Sequence, residues 1–425
     1  MKSVIANVRP NGGQAVDLEI TDGKISQIAK VNTLKADIDG MGLIALPGLV
    51  DLHTHLREPG REDSETVATG SMAAARGGFT AVHAMANTTP VADTAGVVEQ
   101  IYRLGQEAGN CDVFPVGAVT QGLAGTALAE LGAMADSAAR VRVFSDDGKC
   151  VHDPVLMRRA LEYVKAFDGC IAQHAQEPKL TEESQMNEGE VSSVLGLRGW
   201  PKVAEEAIIA RDVLLAEHVG ARLHICHLST AGSVEIIRWA KFRGISVTAE
   251  VTPHHLLLTD ETARTYDPVY KVNPPLRTAQ DVEALRAALA DGTIDIVATD
   301  HAPHPSEDKE CEWSAAAFGM VGLETALPIV NTVMVQTGLM TWSDVARVMS
   351  VAPAQIGRLE NHGNELAVGQ PANFTLFDAE HKVVVERKET ASKSLNNPFH
   401  GMELSGRVGL TMLRGKITFK AEWIK

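Results

Sequence analysis

The stretch Ala45-Leu46-Pro47-Gly48-Leu49-Val50-Asp51-Leu52-His53-Thr54-His55-Leu56-Arg57-Glu58-Pro59-Gly60 reads as an apolar strand that ends in two histidines one residue apart. Successive side chains of a strand point to opposite faces, so His53 and His55 share a face. Two imidazoles converging at a strand end can hold one metal ion through their ring nitrogens. A hydrogen-bonded histidine pair on a half-buried strand would look the same, so the rest of the chain has to decide.

Polar residues recur where later apolar runs end. Asn87 follows the second run, Asp146 and Asp147 the fourth, His174 the fifth and His227 the sixth; Asp300, His301 and His304 follow the eighth. Buried charge is costly unless it is paired or metal-bound, so histidines and carboxylates at so many strand ends favour the metal reading. Each residue alone has a plainer reading. His174 could be a satisfied core histidine, Asp146 and Asp147 an ordinary turn, Asn87 a cap, and Arg57 the partner of Glu58 or Asp63. His224 competes with His227, but only His227 lies at its strand end. His254 and His255 follow Pro253 and read as structural.

The elements that must carry these residues form a rhythm. Apolar runs recur at 49–52, 80–85, 113–119, 141–144, 170–173, 222–226, 245–251 and 294–298. Between them lie helical patterns with recognisable ends, such as Asp153 before Pro154 as N-cap and first helical residue, and Gly77-Gly78 as a stop. Eight such alternations suit a closed (β/α)8 TIM-type barrel of the α/β class, whose chemistry sits at the carboxyl ends of its strands. An open doubly wound sheet is the rival, but no G-x-G-x-x-G follows the first strand. Both chain ends instead alternate as short strands, which predicts a small β-sandwich formed from the two ends. The expected division is 1–47 and 359–425 for that β-sandwich and 48–358 for the barrel.

Composition narrows the class. The formal net charge of -15 over 425 residues offers no basic surface for nucleic acid. Cys111, Cys150, Cys170, Cys226 and Cys311 are odd in number and contain no C-x-x-C, which fits reduced thiols in a cytoplasmic protein. No signal peptide is evident at Met1–Asn7, and no apolar run approaches the roughly 20 residues of a membrane helix.

The motifs together resemble those of the dihydroorotases in the amidohydrolase superfamily. The similarity lies in Asp51-Leu52-His53-Thr54-His55-Leu56-Arg57-Glu58-Pro59-Gly60, Met85-Ala86-Asn87-Thr88-Thr89-Pro90, Thr248–Leu258, Tyr270–Arg277 and Ala298-Thr299-Asp300-His301-Ala302-Pro303-His304. It implies the reversible cyclisation of N-carbamoyl-L-aspartate to L-dihydroorotate in pyrimidine biosynthesis, by zinc-activated hydroxide with an aspartate as proton shuttle. It implies one or two Zn2+ ions, with His53 and His55 binding one, His174 and His227 a second, and Asp300 approaching the first and carrying the proton. Many relatives bridge the metals with a carboxylated lysine from the fourth strand. Here Arg140–Ser145 has no lysine, and the resemblance to the branch with Asp-Asp-Gly points to Asp147. For substrate it implies His55, Arg57, Asn87 and His304 on the carboxylate side, and Asn273 with the backbone at Phe318 and Gly319 on the ring amides.

Two departures stand out: Ala86 replaces the usual proline before Asn87, and His174-Ala175-Gln176-Glu177 replaces the more common His-Cys-Glu-Asp. The polar segment from Pro303 to Glu312 reads as a mobile lid or a plain surface loop. Hydantoin, dihydropyrimidine or allantoin hydrolysis is the nearest alternative activity, and a non-catalytic subunit is the alternative of another class. The expected partner is a small-molecule substrate, without nucleic acid or membrane; a homodimer and an association with aspartate transcarbamoylase stay open.

Overall fold

The computed structural model describes residues 2–424. Eight parallel strands alternate with helices: Leu49–Thr54, Phe79–Ala84, Asp112–Pro115, Val143–Phe144, Cys170–Gln173, Arg222–Ile225, Val247–Val251 and Ile296–Val297. The first three pair in one ladder and the other five in a second. Parallel bridges from Gly117 to Phe144 and from Thr54 to His301 join the two ladders and close the ring. One buried cluster draws Leu52, Met85, Val116, Val143, Ala172, Cys226, Ile296 and Ala298 from these strands or their ends, as the layered interior of a barrel does.

Local chemistry explains the helix boundaries. Asp153 Oδ1 accepts from the amides of Val155 and Leu156, and Pro154 opens the helix Pro154–Val164. The helix Val67–Arg76 stops at Gly77, and it is Gly78, at φ +93°, that takes the left-handed step into the second strand. Among the described residues no helix is long and apolar enough to cross a membrane.

The two ends of the chain meet in one hydrogen-bonded sheet of eight strands. Its order runs Lys416–Lys420, Glu403–Leu413, Phe374–Val384, Ile44–Pro47, Lys2–Pro10, Val16–Thr21 and Lys24–Lys30, with Ile38–Asp39 beside Lys2–Pro10. Ile5, Leu18, Ile20 and Ile25 from one end share a core with Phe374, Leu376, Leu410 and Met412 from the other. The linkage is therefore continuous pairing plus a common apolar interior, which makes the accessory unit dependent on both ends.

A polar joint fastens this sheet to the barrel. Asp112, which opens the third barrel strand, accepts from His362 Nε2 at 2.8 Å and from both terminal nitrogens of Arg414, one of them at 2.8 Å. Burial pushes the Asp112 carboxyl up, but His362 and Arg414 outweigh it and hold the group at about 2. A carboxylate depressed in this way stabilises the fold above its unfolded value of 3.8 and loses that contribution as pH falls toward its folded value. Asp112→Asn should cost about 2 kcal/mol near neutral pH, and the gap from the parent should close on acidification to about pH 2. Denaturant unfolding of both proteins across that range measures it; a gap independent of pH would contradict the ionic origin of the joint.

Candidate active site

The strand ends gather the expected residues into one pocket. Asp51, in the first strand, fastens that strand to the eighth: its carboxylate accepts from the Thr299 hydroxyl at 2.6 Å, the Thr299 amide at 3.2 Å and the His53 amide at 3.0 Å. His55 N donates to His301 O at 2.8 Å, completing the seam. The seam sets His53 and His55 opposite Asp300. Arg57, His227 and Asp300 have positive φ of +64°, +34° and +47°. Non-glycine residues adopt that region at a cost, and it is tolerated here where the chain must turn a side chain inward at a strand end.

Asp147 stands at the centre. Its Oδ2 lies 3.3 Å from His53 Nε2 and 3.2 Å from His55 Nε2, while its Oδ1 lies 3.0 Å from His174 Nδ1 and 3.2 Å from His227 Nε2. Asp300 Oδ1 is 3.1 Å from His55 Nε2 and 3.4 Å from His53 Nε2. One carboxylate thus faces two separate groups of donors, His53, His55 and Asp300 on one side and His174 and His227 on the other. Its neighbour Asp146 turns away and accepts from the amides of Val119 and Thr120, so it braces the loop after the third strand.

The donor set fits metal ions. His53 Nε2 is buried and has no hydrogen-bond partner among the described residues. His174 Nδ1 and His227 Nε2 approach to 2.9 Å, an arrangement that a shared cation satisfies better than one proton. The opposite ring nitrogens are engaged: His53 Nδ1 with Glu250 Oε1 at 2.6 Å, His55 Nδ1 with Asn87 Oδ1 at 2.9 Å, and His174 Nε2 with Gln176 Oε1 at 2.8 Å. Each of these oxygens accepts the ring proton and leaves the other nitrogen's lone pair aimed into the pocket. Electrostatics agree. Burial opposes charge on His53, yet Asp147, Glu250 and Asp300 outweigh it and raise the imidazole well above its usual value. Burial likewise pushes Asp147 up, but His53, His174 and His227 carry it well below the carboxylate range. The pocket calls for positive charge.

Glu250 is the residue that sequence reasoning passed over. It binds His53 with one oxygen and His224 Nε2 with the other, at 3.0 Å. A glutamate within the apolar strand Val247–Val251 was the available signal, since a buried carboxylate needs a reason. His224 is therefore an outer support, and His227 enters the cluster. His255 bonds Thr252 Oγ1 at 2.8 Å, and buried His254 has an Nε2 without a partner among the described residues.

The rim holds the other expected residues. Arg57 pairs with neither Glu58 nor Asp63: its Nε donates to Pro303 O at 3.1 Å and its Nη2 lies 3.3 Å from His304 Nε2. Asn87 caps no helix; it engages His55, and Thr94 is the N-cap of the helix that follows. His304 Nε2 donates to Phe318 O at 2.9 Å. Asn273 Nδ2 donates to Gln176 Oε1 at 3.2 Å, which ties it to the partner of His174, and its buried Oδ1 has no partner among the described residues. Gly319 is at φ +142°, and a Cβ there would stand 2.9 Å from His304 Nε2, so only glycine leaves that imidazole its place.

A segment from the accessory unit reaches this rim. Glu65, buried beside the barrel mouth, accepts from Lys393 N at 3.0 Å and from the Ser392 hydroxyl. Asn396 then accepts from His304 N at 3.2 Å and donates to Ala302 O at 2.9 Å and Gly319 O at 3.2 Å.

Comparison with known proteins agrees with this geometry. Residues 42–233 match the family model described as Dihydro-orotase-like. A dihydroorotase of Streptomyces coelicolor is 67% identical over 421 residues, 98% of each chain, and one of Mycobacterium tuberculosis is 56% identical over 422 residues, again 98% of each. Among solved structures, the L-hydantoinase (dihydropyrimidinase) from Arthrobacter aurescens superposes with a TM-score of 0.86 at 26% identity, covering 99% of this chain and 97% of that one. A dihydropyrimidinase from Brevibacillus agri gives 0.86 at 22% identity, over 100% and 96%, and so shares the fold.

The His53–Glu250 contact makes a quantitative expectation. Glu250→Gln keeps the shape but removes the carboxylate that fixes and enriches the imidazole, so metal affinity should fall by about 10–100-fold. Competition titration against a chromogenic chelator measures it; unchanged affinity would remove Glu250 from the site's support.

Proposed function

The chain belongs to the dihydroorotase family of metal-dependent amidohydrolases, and from that premise we propose that the pocket interconverts N-carbamoyl-L-aspartate and L-dihydroorotate. The observation that carries the substrate assignment is Arg57. Its guanidinium is half-buried at the pocket rim, desolvation lowers it to about 10, and it has no ion-pair partner among the described residues. A partly desolvated cation without a paired anion is a place kept for one, and a guanidinium fork matches a carboxylate. Dihydroorotate carries a free carboxylate; hydantoins and dihydropyrimidines do not.

We assign the metal as zinc, two ions per chain, because imidazole and carboxylate donors suit it. His53, His55 and Asp300 would hold one, His174 and His227 the other, and Asp147 both. Zinc bound there supplies a Lewis acid and brings the pKa of water from 15.7 to about 7.

The protein's own groups supply the rest. Burial pushes Asp300 up, but His53 and His55 outweigh it and hold it at about 2, so it is ionised at neutral pH and can accept a proton. In cyclisation it takes the proton from the carbamoyl nitrogen as that nitrogen bonds to the side-chain carboxyl carbon, and passes it to the departing carboxyl oxygen, which leaves as water with one further proton from solvent. In ring opening it takes a proton from the attacking water and gives it to the departing ring nitrogen. Arg57 orients the free carboxylate, aided by His304 and by the NH2 of Asn87, whose oxygen is occupied by His55. Asn273 Oδ1, buried and without a partner among the described residues, accepts from a ring N–H. The five unpaired cysteines accord with residence in a reducing cytosol.

Purified protein should open dihydroorotate, leave hydantoin and dihydrouracil essentially untouched, lose activity to a chelator and regain it with zinc. Preference for hydantoin would overturn the substrate assignment. Asp300→Asn should retain the fold and most of the metal while kcat falls by roughly 10²–10⁴-fold. Near-parental turnover in that variant would remove Asp300 from the proton path.

A further inference from the structure

Two buried lysines hold the loop between the eighth strand and Met320, and neither has a carboxylate within ion-pair distance among the described residues. Pro305, Ser306, Glu307, Glu310, Cys311 and Glu312 are partly or fully solvent-exposed, whereas Lys309 is 5% exposed. Its ammonium donates to Lys271 O at 3.1 Å, Ala317 O at 2.8 Å and Gly319 O at 3.1 Å, so three N–H groups meet three carbonyls. Lys271 answers in the other direction: its ammonium donates to Trp313 O at 2.7 Å and lies 4.4 Å from the centre of the Phe318 ring. Gly319 N also donates to Lys271 O, at 3.0 Å.

The carbonyls joined by Lys309 flank the residues assigned to the substrate. Ala317 and Gly319 bracket Phe318, whose carbonyl holds His304 Nε2, and Lys271 lies two residues before Asn273. We propose that Lys309 is a positioning residue for substrate recognition: its ammonium ties the 317–319 strip to the 271–273 segment and thereby fixes His304 and Asn273. The loop that carries it is consequently a latch across the pocket rim, with the outer pair Arg61 Nη2 to Asp308 Oδ2, at 2.8 Å, on its solvent side. An ammonium placed in a dry site without an anion is retained only for what its three bonds organise. The inference rests on the assignment of His304 and Asn273 to the substrate.

Lys309→Met keeps the length and removes the three donors. The folded, zinc-loaded variant should show KM for dihydroorotate raised about tenfold or more, kcat within about threefold of the parent, and unchanged metal content. Asn273→Ala, assayed alongside, should also raise KM. If Asn273→Ala raises KM while Lys309→Met leaves it within about twofold, the positioning role is overturned. If neither moves KM, the recognition assignment fails and the inference falls with it. Should Lys309→Met not fold, hydrogen exchange on the parent decides. Residues 305–319 should open without global unfolding and be slowed by the equilibrium mixture of dihydroorotate and N-carbamoyl-aspartate. Exchange there that matches the barrel strands and ignores that mixture would overturn it.

Discussion

The constraint on which this molecule turns is electrostatic. Asp147, Asp300 and Glu250 are packed together at 2%, 5% and 1% exposure, around a His53 that is fully buried. Carboxylates so withdrawn from water repel one another and forfeit hydration, a cost that positive charge between them offsets. The same carboxylates that make the cluster costly without metal favour multiply charged ions, while His53 and His55 hold Asp300 ionised, as a proton acceptor must be.

The barrel answers this constraint with geometry. Donors arrive from the first, fourth, fifth, sixth and eighth strands, so no local segment could assemble them. Ring closure at Thr54 and His301, reinforced by Asp51 on Thr299, sets the distance between the first and last contributors. Backbone strain at His227 and Asp300 is sustained because each side chain is over-determined by its contacts. The pocket also has two chemical ends. The metal-type cluster is built from anions and imidazoles, whereas the rim presents Arg57, Asn87 and Asn273.

Strand periodicity made much of this legible in the sequence. His53 and His55 share a face by local geometry, and Asp300, His174 and His227 declared themselves by standing where apolar runs stop. Asp147 was harder. Only resemblance separated it from Asp146, whereas in the structure adjacent residues simply point opposite ways. Glu250 was hidden inside a strand, where its pairing with both His53 and His224 depends on neighbours brought from distant parts of the chain. Lys309 and Asn396 left no pattern at all, because their partners are backbone carbonyls, and any residue can offer those. The two-ended β unit was visible as alternation, but its strand order is a matter of tertiary pairing.

The reach of Ser392–Asn396 over the barrel mouth bears on how the protein comes into being. A ribosome delivers residues in order, and every metal-facing side chain has been made once Asp300 emerges. The braces on Ala302, His304 and Gly319 arrive almost a hundred residues later with Asn396, on a segment moored to Glu65 near the start. During synthesis the barrel mouth therefore lacks these braces until residue 396 has been made.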